Sequence, residues 1–127
     1  MPSALLQAEQ DVVQETLLGE ALEHGPVGAL VLDENGTFLA ANRMACQLTG
    51  YEREELLQKC SPDLAADPAV VPARLQEMAS GRLEHGIGKL RCKDGEVIDV
   101  QYRVGATRSG GLPYFVFVFW RHDTLDP

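Results

Sequence analysis

Apolar residues in this chain occur in short runs that turn residues separate. The first two runs, residues 29–32 and 38–41, stand on either side of Asp33-Glu34-Asn35-Gly36. Asn-Gly between apolar runs is the strongest short-range signal for a β-hairpin, because both residues tolerate a positive φ. The pattern therefore predicts two antiparallel strands joined by a tight turn.

Two short helices are predicted directly after this hairpin. Asn42 ends the second strand and can cap a helix over residues 43–48, which Gly50 can close in a left-handed conformation. A second helix is predicted over residues 52–58, since acidic residues stand in its first turn, where the helix dipole favours them.

A longer helix is predicted in the middle of the chain. Asp67 and Pro68 form a good helix start, with aspartate as the cap and proline at the first helical position. The apolar residues that recur at i, i+4 and i+7 on one face are Val71, Leu75 and Met78. Pro72 leaves an alternative in which the helix begins there and residues 62–71 form a looser turn.

Three further strands are predicted towards the end of the chain. Residues 98–104 alternate apolar and polar side chains, and Asp94-Gly95 supplies a turn to a preceding strand at about residues 86–92. The last run, residues 114–120, is apolar on both faces, so both faces must be covered. One face carries Tyr114, Val116, Val118 and Trp120, and the other carries Phe115, Phe117 and Phe119.

An amphipathic helix is predicted over residues 3–23, ahead of the first strand. Its apolar stripe consists of Leu5, Leu6, Val12, Val13, Leu17, Leu18, Ala21 and Leu22. Two interpretations stay open: the helix pairs with its counterpart in a dimer, or it lies on its own sheet. We therefore divide the chain into a helix over residues 1–24 and a domain over residues 25–124.

The order and spacing of these parts resemble a PAS domain, the sensory module of bacterial signalling proteins. The similarity covers roughly residues 20–124. It rests on the hairpin, Asn cap and Thr-Gly-Tyr of residues 28–59, and on the Lys-Asp-Gly turn and closing strands after residue 92. The resemblance implies an α+β fold: a five-stranded antiparallel sheet with helices on one face, a ligand cavity between them, and an N-terminal flanking helix.

Composition narrows the class of protein further. A chain of 127 residues with 45% hydrophobic and 24% charged residues is an ordinary globular domain. Eleven basic against nineteen acidic residues, a net charge of −8 and no basic cluster disfavour nucleic-acid binding. No apolar run approaches the roughly 18 residues of a membrane span, and the N-terminus lacks signal-peptide features. Three widely spaced cysteines fit reduced thiols, so we expect a cytoplasmic location.

Catalysis is not expected from this sequence. The three cysteines and three histidines show no C-x-x-C or H-x-x-x-H spacing, which also argues against a metal site. Gly110-Gly111 falls in a hairpin and does not precede a helix, so it is no phosphate-binding loop. We therefore predict a protein that is not an enzyme and that has no catalytic or metal-binding residues.

Cofactor-binding branches of the PAS family require residues that this chain lacks. The flavin-binding LOV branch uses a cysteine in an Asn-Cys-Arg-Phe motif; here Cys60 stands one position early, without Arg-Phe after it. The oxygen-sensing branch holds haem through a histidine on its long helix, where the alignment places Ala69. We expect Cys60 to be a small apolar residue at a helix end, His85 to lie at a strand edge, and no cofactor to bind.

The resemblance leaves a small organic ligand as an open expectation. The predicted cavity residues are Met44, Leu48, Leu75, Met78 and Tyr102. Arg91 or Arg103 could hold a carboxylate if it turned inward; the alternative is that both face solvent, because each alternates with apolar neighbours. The predicted dimer interface consists of the N-terminal helix and the sheet face, through Leu6, Val13, Leu17 and Phe117.

The function expected on this basis is sensory. The resemblance implies a regulatory module of a larger signalling protein, a histidine kinase of a two-component system or a transcriptional regulator, that senses a small ligand or mediates dimerisation. A C-terminal effector domain would follow if the chain is an excised part. The alternatives are a structural dimerisation module without ligand, and a haem or flavin redox sensor.

Overall fold

The computed structural model describes residues 4–82 and 84–123. Helix α1 spans Ala4–Glu23, and the hairpin strands β1 and β2 span Gly28–Asp33 and Phe38–Ala41. Three short helices follow: α2 (Arg43–Thr49), α3 (Arg53–Leu56) and α4 (Ser61–Leu64). A 3-10 turn at Pro68–Val70 leads into α5 (Val71–Ala79), and the chain continues with β3 (His85–Arg91), β4 (Val97–Ser109) and β5 (Leu112–Arg121). The predicted limits at residues 1 and 124 and the side chain of Leu5 lie outside what is described.

The five strands form one antiparallel sheet in the order β2-β1-β5-β4-β3. The last strand therefore lies in the centre of the sheet, between β1 and β4. Helices α2 to α5 lie on one face of the sheet, as the α+β prediction requires, and that prediction is confirmed. The inner face of the sheet and the helices enclose the hydrophobic core.

The first hairpin forms with a turn different from the predicted one. Gly36 has the positive φ of 86°, whereas Asn35 does not adopt the left-handed region. Asp33 organises the turn instead, because its carboxylate accepts hydrogen bonds from the backbone N–H groups of Asn35 and Thr37, each at 2.9 Å.

Asn42 caps α2 as predicted, and Gly50 ends that helix in the left-handed conformation. The middle helix combines the two predicted starts, one at Asp67-Pro68 and one at Pro72. Asp67 caps the 3-10 turn by accepting from the Ala69 N–H at 3.2 Å, and Pro72 lies in the first turn of α5, where a proline costs no hydrogen bond.

Candidate functional site

A cavity of about 380 Å³ lies between the inner face of the sheet and the helical segment from α4 to α5. Its lining is mostly apolar and comes from all five strands on one side and from the segment from α4 to α5 on the other. The apolar side chains that line it include Leu30, Leu32, Phe38, Leu64, Val71, Leu75, Met78, Leu90, Val100 and Phe117. The polar lining residues are Ser61, Asp67, Arg74, Lys89 and Tyr102. Such a volume is within the usual range for a small-molecule site.

The structure brings together three of the five predicted cavity residues: Leu75, Met78 and Tyr102 all line this cavity. Met44 and Leu48 do not line it. Both belong to α2, which packs against β1, and the Leu48 side chain packs against the main core instead. The sequence predicted that α2 forms, but it could not indicate which half of the sheet this helix covers.

Arg74 is one of the cavity residues that the sequence reasoning missed. It is half-buried on α5, and its Nη1 donates a 2.7 Å hydrogen bond to the hydroxyl oxygen of Tyr102. A signal was present, because Arg74 stands at i+3 from Val71 and therefore shares a helix face with Leu75 and Met78.

Glycines on β3 make room for the Tyr102 ring. Gly86 is paired with Tyr102 across the strands, and a Cβ atom at Gly86 would lie 2.7 Å from the tyrosine hydroxyl oxygen. At Gly88 it would lie 3.5 Å from the same ring. The ring can therefore lie across β3 with its hydroxyl directed to Arg74, and the ring also stacks on Phe117 at a centroid distance of 5.0 Å.

The two arginines considered as carboxylate ligands do not line the cavity. Arg91 is exposed and donates from Nη2 to the Ala66 carbonyl at 3.3 Å, and Arg103 is exposed on β4. Lys89 lines the cavity, but it forms an ion pair with Asp99 at 2.6 Å. That pair lowers the pKa of the Asp99 carboxyl, chiefly through the Lys89 hydrogen bond.

The structure places Phe117 on the inner face of the sheet, which corrects its prediction as a dimer contact. The phenylalanine face of β5 is the inner one, since Phe115 and Phe119 are buried and Phe117 lines the cavity. Phe117 therefore does not lie on the outer sheet face, where a dimer contact was expected. The outer face of β5 presents Tyr114, Val116, Val118 and Trp120, which are half-buried.

The residues considered for cofactors do not line the cavity. Cys60 lies at the start of α4, where it occupies the N-cap position, and its thiol donates to an Asp63 carboxylate oxygen at 3.5 Å. Desolvation and this contact raise the pKa of the Cys60 thiol. Ala69 is exposed on the 3-10 turn, and His85 is exposed on the edge strand β3. Within residues 4–82 and 84–123, no group of His, Cys, Asp or Glu could hold a metal ion.

Helix α1 projects its apolar side chains into solvent. Leu6, Val12, Val13, Leu17, Leu18 and Leu22 are between 41% and 61% exposed. The interpretation in which the helix lies on its own sheet is therefore wrong for this structure. Across the described part of the chain, no helix combines the length and apolar character needed to span a bilayer.

Asn42 and Arg53 join the C-terminal end of α1 to the domain. The Asn42 amide donates to the carbonyls of Leu22 and Val27 at 2.6 and 2.9 Å. Its side-chain oxygen accepts from the N–H groups of Ala29 and Ala45 at 2.8 and 3.0 Å. Arg53 donates to the Ala41 carbonyl at 3.1 Å and pairs with Glu23.

Known proteins resemble this chain in sequence and in structure. It is 29% identical over 102 residues to the phosphoserine phosphatase RsbP of Bacillus subtilis (strain 168), a match that covers 77% of this chain and 25% of that protein. The chain thus spans about a quarter of the length of this curated relative.

Solved structures share the fold at lower identity. The PAS domain of an HTR-like protein from Haloarcula marismortui superimposes with a TM-score of 0.78 at 19% identity, covering 91% of this chain and 98% of that one. A PAS domain from a two-component sensor histidine kinase superimposes with a TM-score of 0.76 at 15% identity, covering 88% of this chain and 99% of that one. The PAS domain of a LuxR-family transcriptional regulator from Burkholderia thailandensis was solved in complex with ethanol. It superimposes with a TM-score of 0.69 at 12% identity, covering 81% of this chain and 95% of that one.

The sequence model of the PAS fold matches residues 16–122, most of the chain. The match includes the hairpin, the α2 cap, the cavity-lining helix and the three closing strands. Together with the sheet order and the cavity, it establishes that this chain belongs to the PAS fold family, whose members are typically non-catalytic sensory modules of signalling proteins.

Proposed function

We propose that this PAS domain senses a small organic molecule and passes the signal to an output domain such as a histidine kinase or a transcriptional regulator. The observation that carries the proposal is the apolar cavity of about 380 Å³ between the sheet and α4 to α5. A well-formed apolar cavity with a few convergent polar groups is the default binding site of a domain. The PAS domain of the Burkholderia thailandensis regulator, which shares this fold, was solved in complex with ethanol, and this supports a small-molecule role.

The first test is native mass spectrometry of the purified protein, which should detect a bound small molecule. A Leu75→Trp variant should lose it, because Leu75 lines the cavity and an indole would fill the space. The matched control is Leu39→Trp, which adds the same ring at an exposed position of β2 and should leave binding unchanged. Equal loss in both variants, or no bound molecule in wild type together with no response to a ligand library, would contradict the proposal.

Dimerisation is a second candidate role, favoured by the exposed apolar side chains of α1. We infer that α1 pairs with α1 of a second copy, through residues that include Leu6, Val13 and Leu17, and that the outer face of β5 joins this interface. The half-buried side chains Val116 and Val118 on that face support its inclusion.

A further inference from the structure

We propose that the cavity ligand is a small monocarboxylate with an apolar chain or ring, and that Arg74 and Tyr102 bind its carboxylate group. This inference rests on the proposed function, because it names the chemical class of ligand for the same cavity. It starts from the charge of Arg74, which is half-buried in a mostly apolar lining.

Arg74 is a cation that no carboxylate neutralises among the described residues. The ion pairs in residues 4–82 and 84–123 use Arg53, Lys89 and Lys93, and the hydrogen bond that Arg74 makes is to the neutral Tyr102 hydroxyl. A guanidinium has five N–H donors and prefers to bind both oxygens of a carboxylate. In a domain with a net charge of −8, an arginine without an acidic partner at a cavity wall is positioned for an anion from outside the chain.

Tyr102 supplies a second donor at the same point. Its hydroxyl oxygen accepts from Arg74 at 2.7 Å, so its own O–H remains available to donate. Tyr102 is only 5% exposed, and the absence of a side chain at Gly86 leaves the space that the hydroxyl occupies. Two donors therefore converge on one region of an apolar cavity, as the two oxygens of a carboxylate require.

The rest of the cavity determines the remainder of the ligand. Its lining beyond Arg74 and Tyr102 is dominated by Leu, Val, Met and Phe side chains, which favour an apolar body. A volume of about 380 Å³ accommodates roughly 10 to 15 non-hydrogen atoms, given that a cavity of about 150 Å³ holds benzene. Lys89, the other cation of the lining, is already paired with Asp99, so a second carboxylate would find no free partner among the described lining residues.

The test compares octanoate with octanamide, which have the same chain length and differ in charge. Isothermal titration calorimetry of the full chain at neutral pH should show octanoate binding at least about tenfold more tightly, since hydrogen bonds to a charged group are the stronger ones. Arg74→Gln should reduce the ratio of the two affinities to about one while changing the octanamide affinity less than about twofold. Tyr102→Phe should reduce the ratio in part.

The matched control is Arg103→Gln, which removes an exposed arginine next to Tyr102 in sequence and should keep the wild-type ratio. Circular dichroism of each variant checks that it is folded. Equal affinities for the two probes in wild type, or a preference for octanoate that persists in Arg74→Gln, would overturn the carboxylate inference and leave the proposed sensory function standing. If neither probe binds, the carboxylate inference fails; the proposed sensory function fails with it only if native mass spectrometry finds no bound molecule and a ligand library gives no response.

Discussion

Asn42 is the residue at which three elements of this domain meet. It is 5% exposed, and its amide connects the end of α1, the start of β1 and the N-terminus of α2 through four side-chain hydrogen bonds. An exposed cap satisfies one backbone N–H, whereas Asn42 satisfies two N–H groups and two carbonyls. Its removal would leave these groups unpaired in a buried location, which costs more than the loss of a cap.

We expect Asn42→Ala to lower the free energy of unfolding by about 2 to 4 kcal/mol, the sum of a lost cap and unpaired buried groups. Urea unfolding followed by circular dichroism measures it. The matched control is Asp67→Ala, which removes an exposed cap and should cost about 1 kcal/mol or less. If the two substitutions have equal effects, Asn42 acts as a cap alone.

Glu55 gives the domain a pH-dependent contact. Its carboxylate accepts from the Glu52 N–H and from Lys93 Nζ, both at 2.9 Å, and these bonds lower its pKa, the backbone bond most strongly. A pKa that is lower in the folded state contributes stability above the unfolded value of about 4.3, and this contribution is lost as the pH falls through the folded value. The Lys93 pKa is raised by the same pair, so the contact persists at neutral pH.

We therefore expect the stability difference between wild type and Glu55→Gln to be largest above about pH 5 and to shrink towards zero in acid. Unfolding free energies measured across the acidic range test this. Glu54→Gln removes the same charge one residue away, without either hydrogen bond, and should show a flatter difference. Parallel pH profiles for the two variants would contradict the role of Glu55.

At the scale of elements, α1 and β5 present the apolar surface that the domain itself does not cover. The apolar side chains of α1 are exposed over the length of the helix, and the outer face of β5 is half-buried. Burying such side chains against a second copy would contribute about 1.5 to 3 kcal/mol each. A dimer that pairs the helices would therefore be stabilised by a few residues near the middle of α1.

We expect the double variant Val13→Glu/Leu17→Glu to weaken self-association by about 100-fold or more, because two charges cannot be buried there without partners. Sedimentation equilibrium measures it. Gln14→Glu places a charge at another exposed position of the same helix and should leave association within a fewfold of wild type. If the double variant associates as tightly as wild type, α1 is not the interface.

At the scale of the whole molecule, we expect the purified protein to show neither the Soret band of haem nor flavin absorption. Cys60 contacts Asp63 at the start of α4, and Ala69 and His85 are exposed, so the residues that correspond to the cofactor ligands do not reach the cavity. An absorbance spectrum recorded before and after dialysis decides this. Visible absorption that survives dialysis would contradict the prediction and favour the redox-sensor alternative.

Sequence patterns between neighbouring residues predicted most of the fold, whereas the cavity depends on contacts between residues far apart in the chain. The Asn42 cap, the Gly50 helix end and the Asp94-Gly95 turn depend on neighbours in sequence, so they could be read directly. The inner placement of Phe117 could not, because a strand with two apolar faces fits a sheet either way round. Arg74 was on a recognisable helix face, but its partner Tyr102 lies 28 residues further along the chain.

The attachment of α1 has a mechanical consequence. A helix of 20 residues is about 30 Å long, and the base of this one is held by Asn42 and Arg53. It can behave as a lever arm: a tilt of about 5° at its base carries the far end through about 3 Å. A small rearrangement beside α2 would therefore be amplified at the far end of α1. The resulting displacement would be large enough to change how the α1 helices of two copies align.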